Sequence, residues 1–168
     1  MKQLETREVT VNGNHFYIKP FPAFKAANMS AELAALVTPL LSGFAPLVSK
    51  AGGDTNLLDI DIEDAIPSIT KAFSALSGDR LEAILKHLLI AGENVSYEPE
   101  GEKVRLLTED LANEIFCEEV QDMFVLAFEV IRTNYNGFFK KLGNQFGSVI
   151  EGLNTKGMPS QQNTANLT

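Results

Sequence analysis

The dipeptide Asn12-Gly13 sits between two short runs of β-forming residues. Thr6, Val9, Thr10 and Val11 precede it, and His15, Phe16, Tyr17 and Ile18 follow. Asn-Gly supplies the two positive φ angles of a type I′ turn, whose twist matches that of paired strands. A hairpin closed there pairs Val11 with Asn14 and sets Val9 opposite Phe16, so two apolar side chains share one face. Pro20-Phe21-Pro22 ends the second strand, because proline lacks the ladder N–H.

Helical periodicity takes over next. Ala26, Met29, Leu33, Leu36, Val37, Leu40 and Leu41 recur at three- and four-residue steps, which predicts a helix over 23–50. Pro39 should kink it, and the stretch 43–46 can split it. Gly52-Gly53-Asp54-Thr55-Asn56 has linker composition. A helix to about residue 76 follows, with Ile62, Ala65, Ile66, Ile69 and Phe73 on its apolar side. Ser77-Gly78-Asp79 leads into another over 80–91, burying Leu81, Ile84, Leu85, Leu88 and Leu89, with Gly92 placed to close it as a C′ glycine.

Val95-Ser96-Tyr97 and Val104-Arg105-Leu106 flank Pro99-Glu100-Gly101, which predicts a second hairpin with proline at the first central turn position. Thr108 then caps a helix whose first turn carries Glu109 and Asp110. From there to about residue 153, Val120, Phe124, Ala127, Ile131, Tyr135, Phe138, Leu142, Phe146, Val149 and Leu153 step by three or four. That is an amphipathic stripe, with a break allowed near Phe116-Cys117. Gly137, Gly143, Gly147 and Gly152 weaken its last third by about 1 kcal/mol each relative to alanine. The expected fold is α+β: a mainly α-helical domain over 1–153 with two small β-hairpins and a long C-terminal helix, then a disordered tail over 154–168. Whether the hairpins share a sheet stays open at this level.

Charge narrows the function. Fourteen Lys and Arg face 22 Asp and Glu, for a net charge of -8. The acid is concentrated: residues 51–115 hold fourteen carboxylates and five cations. Nucleic-acid backbones and anionic membrane surfaces call for the opposite sign. The acidic middle reads as a solvated face, or more sharply as a docking surface for a basic partner. The uncharged run 33–49 falls short of the ~20 residues of a spanning helix and is broken by Pro39, Gly43 and Pro46. One cysteine, Cys117, excludes an internal disulfide, and Met1 to Glu5 lacks a signal-peptide apolar region, so a reducing cytoplasm is expected.

No residue set calls for catalysis, a metal or a cofactor. Asp59-Ile60-Asp61-Ile62-Glu63-Asp64 begins like a calcium loop, but the sixth position is Asp64 where glycine is needed, and the twelfth is Thr70 where glutamate is needed. It reads as acid at a helix N-terminus. His15 and His87 lack partners at zinc-ligand spacing, and Cys117 beside Glu118-Glu119 reads as a buried or inert thiol. Phosphate-loop, nucleophile-elbow and zinc-protease motifs do not occur. The aromatic group Phe138, Phe139, Leu142 and Phe146, beside Lys140 and Lys141, reads as core of the long helix or as an apolar patch that grips a partner.

Asn14-His15-Phe16-Tyr17-Ile18-Lys19-Pro20-Phe21-Pro22-Ala23-Phe24-Lys25-Ala26-Ala27-Asn28, followed by Leu33-Ala34-Ala35-Leu36-Val37-Thr38-Pro39-Leu40, resembles tail assembly chaperones of long-tailed bacteriophages. The likeness continues through Leu81-Glu82-Ala83-Ile84-Leu85-Lys86-His87-Leu88-Leu89 into the long C-terminal helix, covering most of residues 5–150. The resemblance implies a non-catalytic protein of the host cytoplasm, absent from the mature virion. It would coat the phage tape-measure protein, keep it soluble and help recruit tail-tube protein around it. Many such proteins also have a longer form made by ribosomal frameshifting, and the tail after Leu153 is where such an extension would attach. Phe138, Phe139, Leu142 and Phe146 are the expected partner-binding or self-association residues. The rival readings are a structural tail or connector component, which purified particles would contain, and a small-molecule or enzymatic domain, which would need a pocket of convergent polar groups.

Overall fold

Asn12 and Gly13 adopt φ of 47° and 79°, the paired left-handed angles of a type I′ turn. In the computed structural model, which describes residues 5–30, 32–33 and 61–135, that turn joins β1 (Arg7–Val11) to antiparallel β2 (Asn14–Ile18). Val9 pairs with Phe16 and Val11 with Asn14, the register expected from the turn. Alternation sends Val11, Phe16 and Ile18 into the core, while Glu8, Thr10 and His15 stay exposed. The Lys19 N–H donates to the Asn94 carbonyl at 2.7 Å, and Pro20 follows immediately.

The four strands among the described residues make one sheet, in the order β1-β2-β3-β4, with β3 at Val95–Glu98 and β4 at Arg105–Leu106. Neighbouring strands are antiparallel. Ile18 pairs with Val95 and Phe16 with Tyr97, whose rings lie 5.3 Å apart. The turn after β3 differs from expectation. The Glu102 N–H donates to the Pro99 carbonyl at 3.1 Å, so Pro99 opens the turn, one place earlier than its fixed φ suggested. Gly101, with φ of 75°, takes the left-handed position.

Among the described residues, five helices share a hydrophobic core with the sheet. The first, α1, occupies 23–30 and 32–33 and buries Met29 and Leu33. The rest of the expected 23–50 helix, with Pro39, and the 52–56 linker lie outside the described residues. Helix α2 (Ile62–Ser74) is capped by Asp61, whose side chain accepts from the Glu63 N–H, and it carries Glu63 and Asp64 in its first turn. The visible part of the acidic run therefore completes a helix N-terminus. Pro67 lies inside α2 on its exposed side, where the carbonyl it leaves unbonded can meet water.

Helix α3 (Gly78–Leu89) buries Ile84, Leu85, Leu88 and Leu89. Gly92 does not close it as a left-handed C′ residue; that conformation falls to Glu93, with φ of 48°. Gly92 is required by crowding. A Cβ there would collide with Asn94 Oδ1 and lie 2.7 Å from Lys25 Nζ and 2.8 Å from Phe21 Cε1. Burial in that corner, where Lys25 sits 5.2 Å from the Phe21 ring centroid, lowers the lysine's pKa.

The C-terminal periodicity divides. Helix α4 (Glu109–Phe116) is capped by Thr108, whose hydroxyl accepts from the Leu111 N–H at 3.3 Å. The chain breaks at 117–119, and α5 runs over 120–135. The break lets Phe116 stack on Phe16 of the sheet, at 5.9 Å, while Phe124 stacks on Phe73 of α2, at 5.3 Å. Helix α5 is not striped along its middle: every residue from 124 to 131 is buried. A helix covered on all sides is a core helix. Its far end is tied to α1, where the Tyr135 hydroxyl donates to the Ala26 carbonyl at 2.8 Å. The continuation past 135 and the expected tail over 154–168 lie outside the described residues.

Candidate docking groove

Among the described residues, two of the concavities that border α5 have linings that differ in kind. One runs along β1 and past the start of α2, with a volume of about 430 Å³. Arg7, Asp61, Glu129 and Arg132 give it a charged lining. Glu129 is buried in the middle of α5, and its Oε1 accepts from Arg132 Nη1 at 3.2 Å. Its Oε2 lies 3.0 Å from Arg7 Nη2, close enough for an ion pair but without hydrogen-bond alignment. These charges offset one another and fix β1 to α5.

The second concavity is an apolar groove of about 270 Å³ between α3, α4 and α5. Leu81, Leu85 and Leu89 line one wall, their four-residue spacing putting them on one helical face. Ala112 leaves space on the α4 side, and Val120, Met123 and Phe124 form the α5 wall. Val120 is 49% exposed, so the expected core stripe begins on the surface. The volume lies below the roughly 300–1,000 Å³ typical of small-molecule pockets and suits the side chains of a docked segment.

Lys86 spans the rim. Its Nζ lies 2.8 Å from Glu82 Oε1 on its own helix and 2.8 Å from Glu109 Oε1 on α4. The hydrogen bonds that Lys86 donates to Glu109 and Glu82 raise the lysine's pKa, and the lysine in turn lowers that of Glu82. All three ions are well exposed, so the cluster clasps two helices and adds little stability.

The residues singled out for chemistry are scattered. His15 Nδ1 lies 3.3 Å from Thr10 Oγ1, and His87 Nδ1 lies 2.8 Å from Glu32 Oε2. Cys117 is exposed, not buried, because it follows the last turn of α4; its thiol donates to the Glu114 carbonyl at 3.4 Å. Among the described residues, no three His, Cys, Asp or Glu side chains group to hold a metal, and no helix is long and apolar enough to cross a membrane. Phe138, Phe139, Leu142 and Phe146 lie outside the described residues. Sequence reasoning missed the groove because Leu81, Leu85 and Leu89 read as plain core; the available signal was Val120, an apolar residue directly after Glu118-Glu119.

A family profile described as phage tail assembly chaperone protein matches residues 12–147. No curated protein and no solved structure matches the chain.

Proposed function

The chain belongs to the phage tail assembly chaperone family, and from that premise we propose that it binds the phage tape-measure protein, keeps it soluble and helps recruit tail-tube subunits. It does so in the host cytoplasm and leaves before the virion matures. The family match across residues 12–147 carries this reading. The surface is compatible: an apolar groove with an ion-paired rim is built for docking another chain. A net charge of -8 keeps a coated assembly dispersed by like-charge repulsion. Residues 1–153 act as the chaperone domain, with 154–168 as its tail.

The test is co-expression of the full chain with the tape-measure protein of its own phage, followed by affinity recovery and mass spectrometry. The tape-measure protein should move from the pellet to the soluble fraction and be recovered with tail-tube subunits, and finished particles should lack the chain. An insoluble tape-measure protein in the presence of the chain overturns the proposal. Stable incorporation into particles does so too, in favour of a structural tail or connector component.

A further inference from the structure

We infer that the free edge of β1 takes up an extended segment of a partner chain, one that alternates apolar and basic residues, as a fifth strand. Among the described residues, β1 and β4 end the sheet. The two edges differ. Strand β4 is two residues long, which protects it from further pairing. Strand β1 is five residues long, contains no proline and pairs with β2 in an unbroken register. The Asn12-Gly13 turn fixes which of its backbone groups are free. It makes Val11 and Asn14 a hydrogen-bonded pair, and bonded pairs then alternate along the ladder. Arg7, Val9 and Val11 therefore bond to β2, while the N–H and C=O groups of Glu8 and Thr10 point to the open side. No backbone group of another described residue bonds to them there.

The concavity of about 430 Å³ beside β1 follows that edge. A hollow on one face of a strand touches every second residue, but this one touches every residue of β1 from Arg7 to Val11. Ile62 on α2 and Val125 on α5 give it apolar walls that continue Val9 and Val11. Charge selects the occupant. Both arginines of the lining, Arg7 and Arg132, are paired with Glu129. Asp61 caps α2, and Glu8 is left with His15 at 3.9 Å, a cation only when protonated. The charge left over along the edge is negative. Its complement carries basic residues beside Glu8 and apolar ones beside Val9 and Val11. The chain's own residues 56–60, which run into Asp61, hold Asp59 and no cation, and so lack that complement.

The inference goes beyond the chaperone reading and is tested without the tape-measure protein, by amide NMR of the full chain. In the free chain the amides of Glu8 and Thr10 should exchange with solvent quickly, and those of Val9 and Val11 slowly. Slow exchange at Glu8 and Thr10 would mean that the chain itself or a second copy already covers the edge, and overturns the inference. The probe is a short synthetic peptide alternating valine and lysine. It should shift the β1 amide signals and slow exchange at Glu8 and Thr10, whereas a peptide alternating valine and glutamate should not. A strand bonds along one side through every second residue. N-methylation of one alternate set of peptide amides should therefore abolish binding, and methylation of the other set should leave it. Glu8→Lys, at an exposed position, should weaken the valine–lysine peptide by about threefold or more, as expected when a cross-strand charge pair changes sign. A probe that does not bind, equal binding of the two peptides, equal effects of the two methylation patterns, or a Glu8→Lys variant that binds undiminished each overturns the inference. Failure here with the tape-measure protein still kept soluble sinks the fifth strand alone. A bound peptide beside an insoluble tape-measure protein upholds the strand and sinks the chaperone reading.

Discussion

Arg7 Nη2 on the first strand lies 3.0 Å from Glu129 Oε2 on the last described helix, and the glutamate side chain is only 7% exposed. The pair closes the sheet onto α5 across most of the described chain. Arg7 is 39% exposed and can be solvated when released, but Glu129 cannot, so removing the arginine strands a buried carboxylate on Arg132 alone. A double-mutant cycle of Arg7→Met and Glu129→Met, read by urea unfolding, should give a coupling of about 0.5–3 kcal/mol. The double variant should be more stable than additivity predicts. A coupling of zero would mean that this ion pair plays no part in holding β1 to α5.

Gly13 and Gly78 should respond to alanine with opposite signs. Gly13 holds φ of 79°, where a Cβ costs about 1–2 kcal/mol. Gly78 opens α3 outside the left-handed region, and a Cβ there meets nothing within 4 Å. Gly78→Ala should therefore stabilise by about 0.4–1 kcal/mol, chiefly through the unfolded chain. Thermal unfolding of the two single variants checks both signs.

Two phenylalanines, eight residues apart, separate core from surface. Phe16 is 0% exposed between Tyr97 and Phe116, whereas Phe24 on α1 is 94% exposed. Phe16→Ala should cost about 3–5 kcal/mol, and Phe24→Ala should stay within about 0.5 kcal/mol of wild type. Equal losses in denaturant unfolding would contradict the burial of β2.

Alkaline pH should weaken the fold through two tyrosines. Tyr17 is pushed up to about 12, first by its hydrogen bond to the Glu98 carboxylate at 2.5 Å and then by burial. Burial pushes Tyr135 up to about 12 as well. A raised phenol pKa favours the neutral form in the fold, so its stabilisation is complete below pH 10.0 and is lost as pH rises through about 12. The double variant Tyr17→Phe/Tyr135→Phe should show a shallower stability loss across that window. Identical slopes for variant and wild type would rule out these two phenols as the cause.

The parts legible in the sequence are those decided by neighbours in the chain. Asn12-Gly13 set the register of Val9 on Phe16, Thr108 capped α4, and the leucine spacing marked the buried face of α3. Gly92 shows where local reading stops. Its position suggested a helix-closing residue, but the crowding of Asn94, Lys25 and Phe21 requires it. The groove was hidden for a related reason: an apolar stripe looks the same whether a neighbouring helix covers it completely or leaves a gap beside Ala112.

The sequence by itself determined the turns, the caps, the helical periods and the acidic balance, because each depends on residues a few places apart and on the intrinsic geometry of glycine, proline and short polar side chains. Only the tertiary structure decided that β2 joins β3 into a single sheet, that α5 is covered on every side through residues 124–131, and that Glu129 sits between Arg7 and Arg132. Those outcomes depend on which surfaces, distant in the chain, exclude water from one another. Hydrophobic burial is non-directional, so the pattern of apolar residues states that a face will be covered without stating by what.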